Sequence, residues 1–197
     1  MKRSTSTCLA LFSVLLLGWY GRAFSSPLWD NFLRNPTEEE LATLENTVEA
    51  SQKPCDPSCV PSEQQQALLF KLIRLGNSSA FRAGLSVSGC FGAANTEDFC
   101  ASAAAFFETK PLIFLQTVRE KAIQDRWLDC LLTQRPLDLV DRETSEVISV
   151  IDNRIAILNS IDDPSVVDVK KRGLYFLKQE RALLKRIMRD RRSQPKE

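Results

Sequence analysis

Residues 96–134 read TEDFCASAAAFFETKPLIFLQTVREKAIQDRWLDCLLTQ, and their pattern decides the fold class. Thr96 stands where a helix N-cap belongs, and Glu97 and Asp98 follow in the first turn, where negative charge meets the positive end of the helix dipole. The body from Phe99 to Phe107 is rich in alanine, which loses the least side-chain entropy on becoming helical. Lys110-Pro111 opens a second helix, since a first-turn amide has no intrahelical acceptor for proline to remove. Leu112, Leu115, Val118, Ala122, Ile123, Trp127, Cys130 and Leu131 then recur at helical spacing, which predicts one long helix over 110–134.

The same signals recur outward from this stretch. Upstream, Ser62 and Gln65 form a capping box, Leu68, Leu69, Leu72, Ile73 and Leu75 follow, and Gly76 sits at a left-handed C-terminal cap. A short turn of helix is expected around Phe81–Leu85, with Gly84–Gly92 as a loop. Thr37 and Glu40 make another capping box, and Leu41, Leu44 and Val48 give a short amphipathic helix. Residues 53–61 must be a loop because of their three prolines, and residues 26–36 read as an extended leader. Downstream, a linker through Pro136 leads to a helix over 141–159, and Asp163-Pro164 starts the last helix, with residues 191–197 as a frayed basic tail. The expectation is an all-α, single-domain bundle of five or six helices over residues 37–190, braced by disulfides.

The N-terminus gives the compartment. Lys2 and Arg3 precede an apolar run from Cys8 to Leu17, too short to span a bilayer, and Gly21, Ala23 and Ser25 suit a cleavage site. Residues 1–25 therefore read as a signal peptide, and the protein is expected to be secreted, extracellular and without a transmembrane span. Beyond this leader five cysteines remain: Cys55, Cys59, Cys90, Cys100 and Cys130. An exported chain uses such residues as disulfides, and the odd one raises a disulfide-linked homodimer as a partner.

If helices 97–107 and 110–134 form a hairpin, Cys100 and Cys130 differ by roughly 18 Å along the axis, whereas a disulfide needs Cα atoms about 4.4–6.8 Å apart. Cys100–Cys130 is thus disfavoured. Cys90 on its loop is the better partner for Cys130, leaving Cys100 for Cys55 or Cys59. A four-thiolate zinc site around Cys55-x3-Cys59 is the alternative to disulfides; with no histidine and an oxidising destination, no metal is expected.

The chain contains no histidine, which removes serine–histidine and cysteine–histidine nucleophiles and histidine-ligated zinc hydrolases. No phosphate-cradling glycine loop or calcium-binding loop is present in the sequence, so neither cofactor nor metal is expected. Glu97-Asp98 and Asp162-Asp163 offer paired carboxylates for an extracellular enzyme, but capping at helix starts explains both, and no catalytic residue is assigned. Asn77-Ser78-Ser79 is a glycosylation sequon just past the Gly76 cap.

Charge is distributed unevenly. The chain is at +1 overall, yet residues 170–197 carry eleven basic and three acidic side chains. Lys170-Lys171-Arg172 resembles a prohormone processing site, and cleavage after Arg172 would release a basic amphipathic peptide, residues 173–197. The competing expectation is one helix whose apolar face docks on the core, with its stripe running through the proposed cut from Val166 to Leu184. Nucleic-acid binding is not expected of an exported chain whose only aromatics in this segment are Tyr175 and Phe176. Between Cys90 and Cys130, closely spaced cysteines precede a small-residue helix, which is similar to the core of the stanniocalcin hormones; the spacings differ and most of that family's cysteines are missing. The function expected is a non-catalytic extracellular interaction protein, of binding, structural or signalling type, with an extracellular protein as its partner.

Overall fold

The computed structural model describes residues 26–193 apart from 52, 54 and 136–142; residues 1–25, expected to be a signal peptide, the expected linker through Pro136 and residues 194–197 lie outside the described residues. The described chain is helical, without strands. We number its helices α1 Pro27–Arg34, α2 Glu38–Ala50, α3 Glu63–Arg74, α4 Ser78–Val87, α5 Ala93–Thr109, α6 Pro111–Glu120, α7 Asp125–Thr133, α8 Thr144–Ser160 and α9 Val167–Ser193. The all-α expectation holds, with nine helices among the described residues in place of five or six.

Residues 26–36 are not an extended leader. Pro27 sits in the first turn of α1, where its missing N–H costs nothing, and Trp29 and Phe32 are fully buried. Trp29 Nε1 donates to the carbonyl of Cys59 (2.9 Å), and Ser26 Oγ donates to that of Ser58 (2.7 Å), which fastens the proline-rich loop over α1. The Ser62–Gln65 capping box is complete, and Gln65 Nε2 also donates to Ser26 O and Asp30 Oδ1 (3.0 and 2.6 Å). At Thr37 only half of the expected box forms: Glu40 N donates to Thr37 Oγ1, while the Thr37 amide goes to Asn35 O. Gly84 belongs to α4 rather than to a loop; a Cβ there would lie 2.6 Å from the Phe99 ring, so glycine lets α4 and α5 approach.

Two corrections concern the stretch that decides the fold. First, α5 begins at Ala93 with Gly92 as N-cap, so Thr96 is not the cap; its Oγ1 donates back to Gly92 O (3.0 Å). Second, the predicted helix over 110–134 is two helices. Ala122 adopts φ 48°, the Ala122 amide donates to Arg119 O and the Ile123 amide donates to Val118 O, so α6 closes with a Schellman cap. The chain reverses and α7 packs back along α5. The buried stripe changes phase accordingly, to Phe114, Leu115 and Val118 on α6 and Leu128, Leu131 and Leu132 on α7, while Ala122 is exposed.

This fold-back overturns the disulfide expectation. The bridges are Cys55–Cys90 and Cys100–Cys130, with Cα separations of 5.2 and 5.7 Å, and Cys59 keeps its thiol. The axial mismatch computed for one long helix disappears once α7 runs beside α5.

Buried apolar side chains form one cluster from Trp29 to Leu184. Its centre is aromatic: Phe81 stacks on Phe106 and Phe114 with centroids 4.7 and 5.2 Å apart, and Phe107 meets Phe114 edge-on. α5 bridges two groups of helices, α3 and α4 on one side and α7 on the other, and α9 lies against α8, α7 and α6. Arg154 on α8 closes the junction. It is 1% exposed, its Nε donates to Glu108 Oε1 on α5, and its Nη1 donates to the carbonyls of Leu132 and Gln134 at the end of α7, each at 2.8 Å.

Candidate functional site

The long C-terminal helix holds the most distinctive surface. Asp163 caps the turn Pro164–Val166 by accepting from the Ser165 amide (2.8 Å), and hydrogen bonding from Ser165 holds its carboxyl below the ordinary carboxylate range. That accounts for Asp163 as a helix-start residue. The other carboxylate pair, Glu97-Asp98, lies in the second turn of α5 rather than at its start; among the described residues no cluster of three or more Asp, Glu, Cys or His is placed to hold a metal.

α9 buries Val169, Gly173, Leu177 and Leu184. A Cβ at Gly173 would come within 2.8 Å of Leu132 and 3.2 Å of Leu158, so the helix passes closest to α7 and α8 there. The cations that flank this face are spent on the fold. Lys170 Nζ donates to Ile161 O (2.6 Å) and Asn159 O (3.4 Å), which satisfies carbonyls at the end of α8. Arg172 donates to Asp125 Oδ1 (2.6 Å) and Ile123 O (2.7 Å), and Arg181 pairs with Asp152 (2.6 Å).

The opposite face differs. Lys171, Lys178, Lys185 and Arg189 are exposed, and among the described residues none of them makes an ion pair or hydrogen bond. They fall at steps of seven, seven and four residues, so they form one line along the helix. Asp168 is exposed one turn before Lys171, at the start of the line; Glu180 is half-buried on the inner side, and burial raises its carboxyl above the ordinary value. Beside it, a groove of about 560 Å³ between α8 and α9 is lined, among the described residues, by Ser145, Ile148, Lys185, Met188 and Arg189. Sequence reading found the excess charge and missed the line, although the seven-residue recurrence of Lys171, Lys178 and Lys185 is visible in the sequence.

The remaining sequence-derived sites scatter. The Lys170-Lys171-Arg172 segment is helical, with two of its three cations docked and Gly173 buried, so the Arg172–Gly173 bond is not presented as an extended strand. Asn77 caps α4 by accepting from Ala80 N (2.7 Å), and Ser79 of the sequon is buried with its hydroxyl donated to Glu38 Oε1 (2.7 Å). A second cavity, about 470 Å³, lies under the 53–60 loop, with Val48, Val87, Cys59 and the Cys55–Cys90 bridge in its wall. Cys59 is 6% exposed, so a bridge between two copies through it requires this loop to open. No helix among the described residues is long and apolar enough to cross a membrane. No protein-family model matches the chain, and neither a curated protein nor a solved structure matches it.

Proposed function

We propose that this is a secreted, non-catalytic protein that works by contact with an extracellular partner, and that the outward face of α9 makes the contact. One observation carries the reading: Lys171, Lys178, Lys185 and Arg189 stand exposed in a line and make no ion pair among the described residues, although other cations of the same helix are paired. Positive charge that does not serve the fold is available to a partner, and it speeds encounter with a negatively charged one. The compartment rests on the basic, short apolar leader; two disulfides are compatible with it. In this reading Asn77 carries a glycan, attached before Ser79 is buried by folding.

Expression of the full chain in a eukaryotic secretory cell line tests the proposal. The expected product appears in the medium, begins near Ser26, ends at Glu197, loses mass on glycosidase treatment and runs as a monomer with and without reductant. Recovery from the cytosol with Met1 attached and reduced thiols would sink it. A fragment beginning at Gly173 would replace it with a peptide precursor.

A further inference from the structure

We infer that the occupant of the α9 face is a linear sulfated polysaccharide lying along the helix over Lys171, Lys178, Lys185 and Arg189. The inference rests on the reading of that face as the contact surface and names its partner class.

Three observations point to this chemistry. The first is spacing. At about 1.5 Å per residue the three lysines sit roughly 10.5 Å apart and the whole line spans about 27 Å, while each seven-residue step turns only about 20° short of two full revolutions. The register recurs at Arg192 in the sequence. A straight row of regularly spaced cations matches a polymer that repeats its negative charge, since each repeat meets a new cation without bending.

The second is what surrounds the row. Asp168, exposed one turn before Lys171, is the acidic neighbour at the start of the row, Asp190 lies about 100° round the helix from Arg189, and Asp125 and Asp152 of the neighbouring helices are already paired with Arg172 and Arg181. From Lys178 to Arg189 no acidic residue stands three or four positions from a cation of the row, and its lysines, compact point charges with three rotatable donors, suit sulfate oxygens.

The third separates a polysaccharide from a lipid surface. A helix that lies in a membrane interface buries an apolar face in the acyl boundary. The apolar face of α9 is already used: Val169, Leu177 and Leu184 are in the core. The exposed apolar side chains of α9 are scattered and form no continuous face: Val167 precedes the row, Tyr175 lies beside it with its ring edge-on to Phe176, and Leu183 is roughly a third of a turn or more away round the helix.

The test is titration of the full mature protein with a heparin oligosaccharide of defined length, by calorimetry, across a salt series. We expect binding that weakens linearly on a log–log salt plot. The variant Lys171→Gln/Lys178→Gln/Lys185→Gln/Arg189→Gln should bind at least about tenfold more weakly at physiological salt, with a slope reduced by about one per cation removed. A control, Lys53→Gln/Lys71→Gln, removes two exposed cations, one from the 53–60 loop and one from α3, and should stay within about twofold of the parent. Circular dichroism confirms that both variants are folded. An unsulfated polysaccharide should not bind.

Equal losses in both variants, or none in the fourfold variant, would overturn the inference. So would tighter binding to phosphatidylserine vesicles than to heparin. If heparin fails but an acidic extracellular protein is retained by the parent and lost by the fourfold variant, the polysaccharide is wrong and the contact face stands. If neither is retained, both readings fail.

Discussion

Two sets of cations in this molecule differ by more than their position. Arg154 is buried among the ends of α5, α7 and α8, bonded to Glu108 and to two helix-terminal carbonyls. The Lys171–Arg189 row faces water and bonds to nothing among the described residues. A buried charge costs several kcal/mol of desolvation, so it persists only where partners recover that cost. An exposed charge costs the fold almost nothing and contributes almost nothing. Arg154 should therefore matter for stability and not for binding, and the row should show the reverse.

The largest expected effect tests the buried side. Arg154→Ala strips the carbonyls of Leu132 and Gln134 of their donor, leaves Glu108 without its cation and opens a cavity; we expect a loss of about 3–5 kcal/mol in urea unfolding. Burial pulls the guanidinium below its ordinary value and Glu108 pulls it back, so the group stays charged throughout the accessible range. The loss should consequently be nearly flat from pH 6 to 9. A cost below about 1 kcal/mol would mean that the carbonyls find water and that the clamp is not needed.

The same junction is held independently by Cys100–Cys130, which tethers α7 to α5. Replacing both with alanine frees a loop of thirty residues' separation and should cost about 3–4 kcal/mol by loop-closure entropy. Heparin affinity of the material that remains folded should be unchanged, because the row lies on α9. Loss of affinity in step with stability would erase the contrast between the two sets of cations.

How much of this was legible in the sequence turns on two helix ends. Gly76 at φ 80° and Ala122 at φ 48° both occupy the left-handed position of a Schellman cap. Glycine announces that conformation because it lacks the Cβ that penalises it, so the end of α3 could be read. Alanine announces the opposite, being the best helix former, so the break after α6 was hidden and the disulfide pairing was misread with it. Tertiary packing overrode propensity: ending α6 lets Leu128, Leu131 and Leu132 reach the core. Helix content, the Ser62–Gln65 box and the Asp163-Pro164 start were local and therefore visible. The α9 row was visible as composition but not as a site, because only the paired inner cations show that the outer ones are spare.

That account predicts a gain. Ala122→Gly should stabilise the protein by about 1 kcal/mol, since the left-handed strain exceeds the added entropy of the unfolded chain. The measurement is the urea midpoint. A loss would mean that the backbone here relaxes out of the left-handed region in solution, and α7 would then no longer be aimed at Arg154.

The smallest expected effect is also the one that bears most on function. The fourfold glutamine variant of the row should leave the urea midpoint within about 0.5 kcal/mol of the parent, because exposed substitutions away from partners rarely exceed that. Its sign should be slightly favourable at low salt, where like charges along one helix face repel, and should vanish as salt screens them. Arg172→Gln gives the bridging case: its pair with Asp125 is partly exposed on both sides, 37% and 67%, so a cost below about 1 kcal/mol is expected. A row variant that unfolds like Arg154→Ala would show that the exposed cations hold the helix to the acidic remainder of the chain after all, and positive charge on α9 would then belong to the fold.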